Sequence, residues 1–265
     1  MVWIGGTVGM LFLIFYLFLI SKNLKKQKEF NKGLREINNT KDKFFSIISH
    51  DLKSPFNSIL GFSELLNDNI EELEQEELKK IAASIYKSSK STYDLLEQLL
   101  DWAALQSKKI EYSPKKIDLK ALIIENIKMA NFNAEQKQIQ ITDNTPDSQF
   151  VFADQNMLNT VIRNILTNAI KFTYSGGKIE ISSAIKHDML FLSIKDNGQG
   201  IAYQKLANLF NLNIQNSTKG TNDESGTGLG LILCKEFIEK NKGELIIESE
   251  EGEGSNFIIS LPLMG

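Results

Sequence analysis

His50 and Asp51 are adjacent residues in a stretch with helical periodicity, "FFSIISHDLKSPF". A neutral imidazole becomes a nucleophile when a carboxylate holds one ring nitrogen as a donor and leaves the other lone pair free. Ile48 and Leu52 belong to the apolar edge of this predicted helix, and at about 100° per residue His50 points away from both. The pattern predicts a water-facing histidine with an orienting acid. A plain solvated surface histidine fits the same spacing.

Two asparagines and a lysine share one face of a second predicted helix, "RNILTNAIKFT". Asn164 and Asn168 are four residues apart, so their amide oxygens can ligate one Mg²⁺ ion together. Lys171 lies about one turn further on and can reach a phosphate group. The alternative is that these residues form an ordinary solvated helix face.

A glycine-containing turn, "DNGQGI", follows a predicted strand. Asp196 can accept a hydrogen bond from an adenine amino group, while Gly198 and Gly200 allow the backbone to approach the base closely. A plain turn at the end of a strand is the alternative interpretation of this stretch.

A second glycine-rich stretch, "GTGLGL", opens a predicted helix. Gly226, Gly228 and Gly230 leave backbone N–H groups that can face a phosphate at the positive end of the helix. The stretch is not a Walker A loop, and no strand precedes it as a dinucleotide-binding fingerprint requires. Along the chain these stretches follow the order asparagine helix, Asp-Gly turn, polar segment and glycine-rich helix start.

Two long helical stretches with apolar edges precede this pocket region. Their apolar residues alternate in spacings of three and four, and a polar connection, "NDNIEELEQEE", separates them. The pattern predicts an antiparallel hairpin that pairs with a second copy as a four-helix bundle, hence a homodimer. An ordinary two-helix tether is the alternative. The predicted edges are Phe45, Ile48, Leu52, Pro55, Ile59, Phe62 and Leu66, then Leu78, Ile81, Ile85, Ser88, Thr92, Leu95, Leu99 and Trp102.

Helix and strand patterns mix from residue 114 onward. The sequence predicts three helices, a strand hairpin that turns at His187-Asp188, and two closing strands. Helices on one face of a mixed or mainly antiparallel sheet form an α/β sandwich. The whole chain is therefore predicted to be α+β.

The N-terminus has the composition of a membrane span. No charged residue lies between Val2 and Ile20, and lysines follow from Lys22. The length and the positive-inside rule predict a single-pass anchor over residues 1–21 in the inner or plasma membrane, with the rest in the cytoplasm. A cleaved signal peptide is the alternative, but the apolar stretch is long for one. Such a chain senses through the membrane itself or is the C-terminal piece of a longer protein, and residues 22–43 continue as a linker or coiled coil.

The composition excludes several classes of function. The chain has a formal net charge of −3, and this charge balance does not suggest the concentrated basic surface that nucleic-acid-binding proteins present. Cys234 is the only cysteine, which excludes an intrachain disulfide and a cysteine-rich zinc site. We interpret Cys234 as a small apolar residue within a helix.

The stretch "SHDLKSPF" resembles the H-box of sensor histidine kinases. The resemblance implies that His50 accepts the γ-phosphoryl group of ATP and that Asp51 stands at the position of the acidic base. It places Ser54 at the polar position related to phosphatase activity, which is usually Thr or Asn in the family. The implied phosphoacceptor and dimerisation domain covers residues 44–109.

The later motifs resemble the N, G1 and G2 boxes of the histidine-kinase ATP domain, a Bergerat-type α/β sandwich, here residues 114–265. The resemblance implies ATP and Mg²⁺ as cofactors, with the metal at Asn164 and Asn168. The segment "NSTKGTNDES" is expected to form a lid, with Phe210 as its aromatic residue. The remaining implied nucleotide-binding residues are Lys171, Asp196, Gly198, Gly200, Gly226, Gly228 and Gly230.

The implied activity is autophosphorylation of His50 followed by transfer to an aspartate of a separate response regulator, since no receiver-like segment follows Pro262. One alternative is a nucleotide-binding scaffold or phosphatase-dominant sensor that transfers phosphate weakly. Another is a chaperone-like or topoisomerase-like ATPase, which would need an acid where Asn164 stands.

Overall fold

The computed structural model describes residues 16, 19–28, 30–31, 51–106, 112–210, 218–222, 224 and 228–263. The chain divides into two units, Met1–Asp51 and Leu52–Gly265. In the first unit the described residues are helical. Within the described ranges, we find no helix with the length and apolar character that a membrane crossing requires. Most of the predicted span over residues 1–21 lies outside these ranges.

Two helices joined by a short turn begin the second unit. Helix α1 covers residues 51–69, and helix α2 covers Gln75–Gln106. The predicted connection began at Asn67, but α1 continues to Asn69, whose side-chain amide donates to the carbonyl of Leu65 at 3.3 Å. This bond satisfies one of the carbonyls that a helix end leaves unpaired. At the start of α2, the carboxylate of Glu77 accepts from the Glu74 amide at 3.1 Å.

The predicted apolar edges of the hairpin are the buried sides of α1 and α2. Leu95 is 2% exposed and Ile81 7%, while the other edge residues from Leu52 to Leu99 are half-buried. Phe45, Ile48 and the side chain of Trp102 lie outside the described residues. Large apolar side chains remain exposed beside these edges: Phe56, Leu60, Leu65, Tyr86, Tyr93, Leu96 and Leu100. The hairpin therefore keeps an apolar surface that the described residues of this chain do not cover.

The remaining helices and strands form an α/β domain. A five-stranded sheet has the order β2-β4-β5-β7-β6, with β2 and β4 parallel and the other neighbours antiparallel. The bounds are β1 Pro114–Asp118, α3 Leu119–Gln136, β2 Gln140–Asp143, β3 Phe150–Asp154, α4 Gln155–Phe172, β4 Lys178–Lys186, β5 Met189–Asp196, α5 Tyr203–Leu206, α6 Gly230–Lys240, β6 Glu244–Glu250 and β7 Gly254–Pro262. The predicted α/β sandwich is confirmed.

Strand β1 was not predicted from the sequence. It pairs with β3 as a separate antiparallel two-stranded sheet, in which Pro114 lies opposite Asp154. Only Ile117 of β1 is buried. A strand with one buried apolar residue carries little periodic signal, and its hydrogen bonds come from a partner some 40 residues away.

The core of this domain lies between the sheet and helices α3, α4 and α6. Alternate residues of β5, among them Leu190, Leu192 and Ile194, are fully buried, as the period of two in a strand requires. Cys234 on α6 is also fully buried, and burial raises the pKa of its thiol. The interpretation of Cys234 as an apolar helix residue is confirmed.

Local signals fix the starts of the two long core helices. The carboxylate of Asp118 accepts from the Ala121 amide at 3.1 Å, and that of Asp154 accepts from the amides of Asn156 and Met157 at 3.0 and 3.1 Å. These are N-caps that pair otherwise unsatisfied amides. The first of them starts α3 and the second starts α4, the helix that carries most of the predicted metal and phosphate ligands.

The predicted turn at His187 and Asp188 is confirmed. Both residues have positive φ, 47° and 61°, and Lys186 pairs with Met189 across the hairpin. Two left-handed residues form the type of turn that matches the twist of adjacent strands.

Candidate nucleotide site

Two of the predicted phosphoacceptor residues, Asp51 and Ser54, lie on α1. His50 is outside the described residues. Asp51 is helical and half-buried, and Ser54 is exposed one turn further on. The carbonyl of Ser54 accepts from the Ser58 hydroxyl at 3.3 Å. Pro55 lies inside the helix, which continues through it.

Asn164 and Asn168 lie half-buried on the same face of α4. The Asn164 Nδ2 group donates to the Thr160 carbonyl at 3.0 Å. Its Oδ1 atom faces the start of α6, since a Cβ atom placed on Gly230 would come within 2.9 Å of it. The asparagine helix and the glycine-rich helix start therefore meet at Asn164 and Gly230.

Lys171 lies near the end of α4 and turns toward residues that precede α6. Its ammonium donates to the Thr218 carbonyl at 3.3 Å and lies 4.6 Å from the centroid of the Phe172 ring. Burial lowers the pKa of Lys171, the Lys137 ammonium adds to this effect, and the Glu224 carboxylate opposes it. A partly desolvated cation of this kind is well suited to pair with a phosphate oxygen.

Asp196 ends β5 and is 3% exposed. Its Oδ1 atom accepts from the Gly198 amide at 2.9 Å. Burial raises the pKa of Asp196 above its ordinary value of 3.8, although hydrogen bonds from the amides of Gly198 and Ser255 oppose the increase. The carboxylate is thus fixed in orientation by the backbone at the beginning of the glycine turn.

The glycine turn, residues 196–201, packs closely between the end of α4 and the end of β6. A Cβ atom on Gly198 would lie 2.1 Å from the carbonyl oxygen of Phe172, at the end of α4. Gly200 has a φ of +65°, and a Cβ atom there would lie 1.9 Å from the carbonyl oxygen of Glu250, at the end of β6. Both positions therefore require glycine, for lack of space and, at Gly200, for conformation as well.

The start of α6 completes the site. Gly228 has a φ of +70°, and N-cap Leu229 has no side chain that can cap the helix. Phe210 is half-buried, with the Lys235 ammonium 5.0 Å from its ring centroid. Gly226 lies outside the described residues, as do four of the ten residues of the predicted lid, 216, 217, 223 and 225.

The described motif residues converge on the C-terminal half of α4. The Gln199 amide donates to the Phe172 carbonyl at 3.0 Å, which joins the glycine turn to the helix end. Gly230 meets Asn164 in the middle of the same helix. The glycine turn after Asp196 and the start of α6 thus both contact the helix that carries Asn164, Asn168 and Lys171. The roles of the individual side chains stay predictions.

Three residues beside this site were not singled out from the sequence: Lys137, Thr221 and Glu224. The Lys137 ammonium lies 2.7 Å from Thr221 Oγ1 and 2.8 Å from Glu224 Oε1. Thr221 and Glu224 belong to the predicted lid segment "NSTKGTNDES", whereas Lys137 lies 84 positions before Thr221. No sequence signal identifies Lys137.

Comparisons with known proteins agree with this geometry. Residues 40–108 match the His Kinase A (phospho-acceptor) domain, and residues 153–265 match the family of histidine kinase-, DNA gyrase B- and HSP90-like ATPases. An uncharacterized sensor-like histidine kinase of Rhizobium meliloti is 31% identical over 85% of this chain and 43% of its own length. Sensor protein EvgS of Escherichia coli is 29% identical over 84% of this chain and 19% of its own length.

A solved structure shows the same fold. Histidine kinase AdeS of Acinetobacter baumannii superposes with a TM-score of 0.63 at 21% identity, over 81% of this chain and 98% of that one. The chain spans less than half the length of the two curated relatives above.

Proposed function

The chain belongs to the sensor histidine kinases of two-component systems, and from this premise we propose that it phosphorylates itself on His50 with ATP. The phosphoryl group then passes to an aspartate on a separate response regulator. The observation that carries the proposal is that two predicted motifs meet the same helix: the glycine turn after Asp196 contacts the end of α4 at Phe172, and the start of α6 contacts Asn164 in the middle of α4. The histidine-containing motif lies within the matched phospho-acceptor domain.

The proposed reaction is an in-line displacement at the γ-phosphorus of ATP. A lone pair on one ring nitrogen of His50 forms the N–P bond, the bond from phosphorus to the β–γ bridging oxygen breaks, and ADP leaves with that electron pair. Asp51 orients the imidazole through the other ring nitrogen and accepts its proton as positive charge develops there.

Recognition of the base is assigned to Asp196. Its fixed carboxylate accepts a hydrogen bond from the adenine amino group, which guanine cannot offer at the same position. Gly198 and Gly200 hold the turn that follows this carboxylate against the ends of α4 and β6. A site built to pair with a substrate N–H group discriminates strongly against analogues that lack it.

The metal proposal assigns one Mg²⁺ ion to the amide oxygens of Asn164 and Asn168. Amide oxygen is a hard donor that suits this ion, and phosphate oxygens and water complete its shell. The described residues contain no group of three His, Cys, Asp or Glu that could hold a metal by itself. The ion would neutralise charge on the phosphates, and Lys171 would add a further positive charge.

The assembly we propose is a homodimer. The exposed apolar residues beside the edges of α1 and α2 would pair with those of a second hairpin to give a four-helix bundle. The uncharged stretch from Val2 to Ile20, followed by lysines, supports a single-pass anchor with the kinase region in the cytoplasm.

Incubation of the full chain with γ-labelled ATP tests the function. We expect label on the wild-type chain and essentially none on a His50→Gln variant. His187→Asn is the matched control, because His187 is the second histidine, is exposed, and has a positive φ that Asn tolerates. Equal labelling of His50→Gln and wild type would refute the proposal, and a wild type that binds ATP without labelling would favour the scaffold alternative.

A further inference from the structure

Lys137 is a buried lysine that the proposed phosphoryl transfer does not use. It caps the C-terminus of α3 and is only 5% exposed. Its ammonium donates to the carbonyls of Ile170 and Lys171 at 2.9 and 3.0 Å and to the Thr221 hydroxyl at 2.7 Å. It also forms an ion pair with Glu224 at 2.8 Å. Lysine is almost never this buried unless every proton of its ammonium has a partner.

The partners of Lys137 come from two different segments beside the candidate nucleotide site. Ile170 and Lys171 are the last turn of α4, the helix that carries the predicted metal and phosphate ligands. Thr221 and Glu224 belong to residues 218–222 and 224, which we call the stem and which precede the glycine-rich start of α6. A single ammonium therefore holds the end of α4 and the stem together.

Further bonds between the stem and α4 surround the same point. The Thr221 amide donates to the Lys171 carbonyl at 3.1 Å, and its hydroxyl donates to the Thr173 carbonyl at 2.8 Å. The Lys171 ammonium donates to the Thr218 carbonyl at 3.3 Å. The backbone from which the Lys171 side chain extends is thus fixed by Lys137 and Thr221, while its ammonium contacts the stem.

The Lys137 ammonium is surrounded by negative charge. Carbonyls at a helix C-terminus carry partial negative charge, which a lysine ammonium stabilises. Burial alone would raise the pKa of Glu224, but hydrogen bonds from Lys137 and from the Asn222 amide lower it. Loss of the ammonium would remove the ion pair of a partly buried carboxylate and one donor from each of two helix-end carbonyls, which is more costly than loss of a solvated group.

We propose that Lys137 is a positioning residue that sets the geometry of the nucleotide site by holding the stem against the end of α4. The predicted effect of Lys137 on ATP binding rests on the proposed function. Its predicted effect on the stem does not. The competing interpretation is a purely structural ion pair, such as Lys120–Asp143 at 3.0 Å in the same domain. That pair joins α3 to β2 and contacts neither the stem nor α4.

The test compares Lys137→Met with Lys120→Met in the full chain. Three quantities are measured: the thermal midpoint, the affinity for a fluorescent ATP analogue, and hydrogen exchange of the stem amides without nucleotide. We expect both variants to lose thermal stability, but only Lys137→Met to bind the analogue about tenfold more weakly and to exchange the Thr221 amide faster. In the phosphorylation assay, the KM for ATP should rise more than the rate at saturating ATP falls.

The outcomes separate the two proposals. Stem exchange in Lys137→Met that equals wild type, or an equal loss of affinity in Lys120→Met, overturns the positioning role. If the wild-type chain neither binds ATP nor transfers phosphate, the proposed function is refuted. The hydrogen exchange of the stem in Lys137→Met still decides whether Lys137 holds the stem in place. If Lys137→Met does not fold, Glu224→Gln and Thr221→Val replace it, with an expected loss of roughly threefold in affinity. Wild-type affinity and stem exchange in both of these variants would also overturn the role.

Discussion

At the scale of single residues, Asp196 combines burial with a fixed orientation. Because burial raises its pKa, the charged form is less favourable in the fold than in water, and a carboxylate kept at such a cost is typical of a functional position. If Asp196 had only a structural role, a neutral side chain of the same shape would stabilise the fold equally well. A role in binding, by contrast, requires the carboxylate as an acceptor.

An Asp196→Asn variant tests this distinction. We expect the thermal midpoint at pH 7 to change little, since the substitution removes a buried charge and keeps the shape. Affinity for ATP should fall by about tenfold or more, and the preference for ATP over GTP should shrink, because the amide presents a donor to the adenine amino group. Asp188→Asn, at the exposed turn between β4 and β5, is the control. Unchanged affinity in Asp196→Asn would contradict the adenine assignment.

At the scale of elements, the glycine turn after β5 is shaped by its neighbours on both sides. Its position depends on the end of α4 at Gly198 and on the end of β6 at Gly200. Gly176, in the turn before β4, has a similar positive φ of +79°, but a Cβ atom there would meet nothing within 4 Å. The two glycines separate the cost of backbone conformation from the cost of lost space.

We therefore expect Gly176→Ala to cost about 1 to 2 kcal/mol in the free energy of unfolding, the price of a left-handed backbone alone. Gly200→Ala should cost clearly more and should also weaken nucleotide binding, because the Glu250 carbonyl or the whole turn has to move. Urea unfolding and analogue binding of both variants give the comparison. Equal losses of stability with intact binding in Gly200→Ala would show that the turn is not part of the site.

Ion pairs of the α/β domain make its stability depend on pH. Burial by itself would raise the pKa of Asp143, but hydrogen bonds from Thr145 and Lys120 lower it below its ordinary value of 3.8. A carboxyl whose pKa is lowered by folding stabilises the fold fully above its unfolded pKa. This contribution is lost as the pH falls through the lower, folded value.

Unfolding free energies measured between pH 7 and 3 should consequently fall less steeply below about pH 4 in Asp143→Asn than in wild type. Asp147→Asn, an exposed acid in the loop after β2, should keep the wild-type slope. If both variants kept that slope, the Lys120–Asp143 pair would not contribute to acid sensitivity.

At the scale of the whole molecule, the hairpin leaves apolar side chains without cover. Leu60 on α1 is 62% exposed and Leu96 on α2 47%. Exposed apolar residues in such a row mark a surface of contact. The described part of one chain offers nothing that covers them, which is consistent with a phospho-acceptor hairpin that pairs with a second copy.

Sedimentation velocity tests the dimer. We expect Leu60→Glu and Leu96→Glu to shift the chain from dimer to monomer, since a charge inside an apolar interface is costly. Tyr203→Glu, on the α/β domain and 88% exposed, should leave the dimer intact. A wild-type chain that sediments as a monomer would contradict the four-helix bundle itself.

Much of the fold was predictable because its signals are local. The apolar edges of α1 and α2 repeat every three and four residues, Asp154 precedes α4 as a cap, and His187-Asp188 forms a two-residue turn between alternating strands. Each of these features depends on residues a few positions apart. Strand β1 was missed because its partner β3 is remote and its own periodicity is weak.

The sequence by itself determined the types of residue at the site and their order along the chain, because motif spacing and periodicity are local properties. It did not determine that the start of α6 meets Asn164 at Gly230, or that a Lys137 ammonium joins the last turn of α4 to Thr221 and Glu224. These contacts exist only after distant segments pack together. The physical reason is that a buried charge takes its partners from whatever the fold brings within about 3 Å, whatever their distance along the chain.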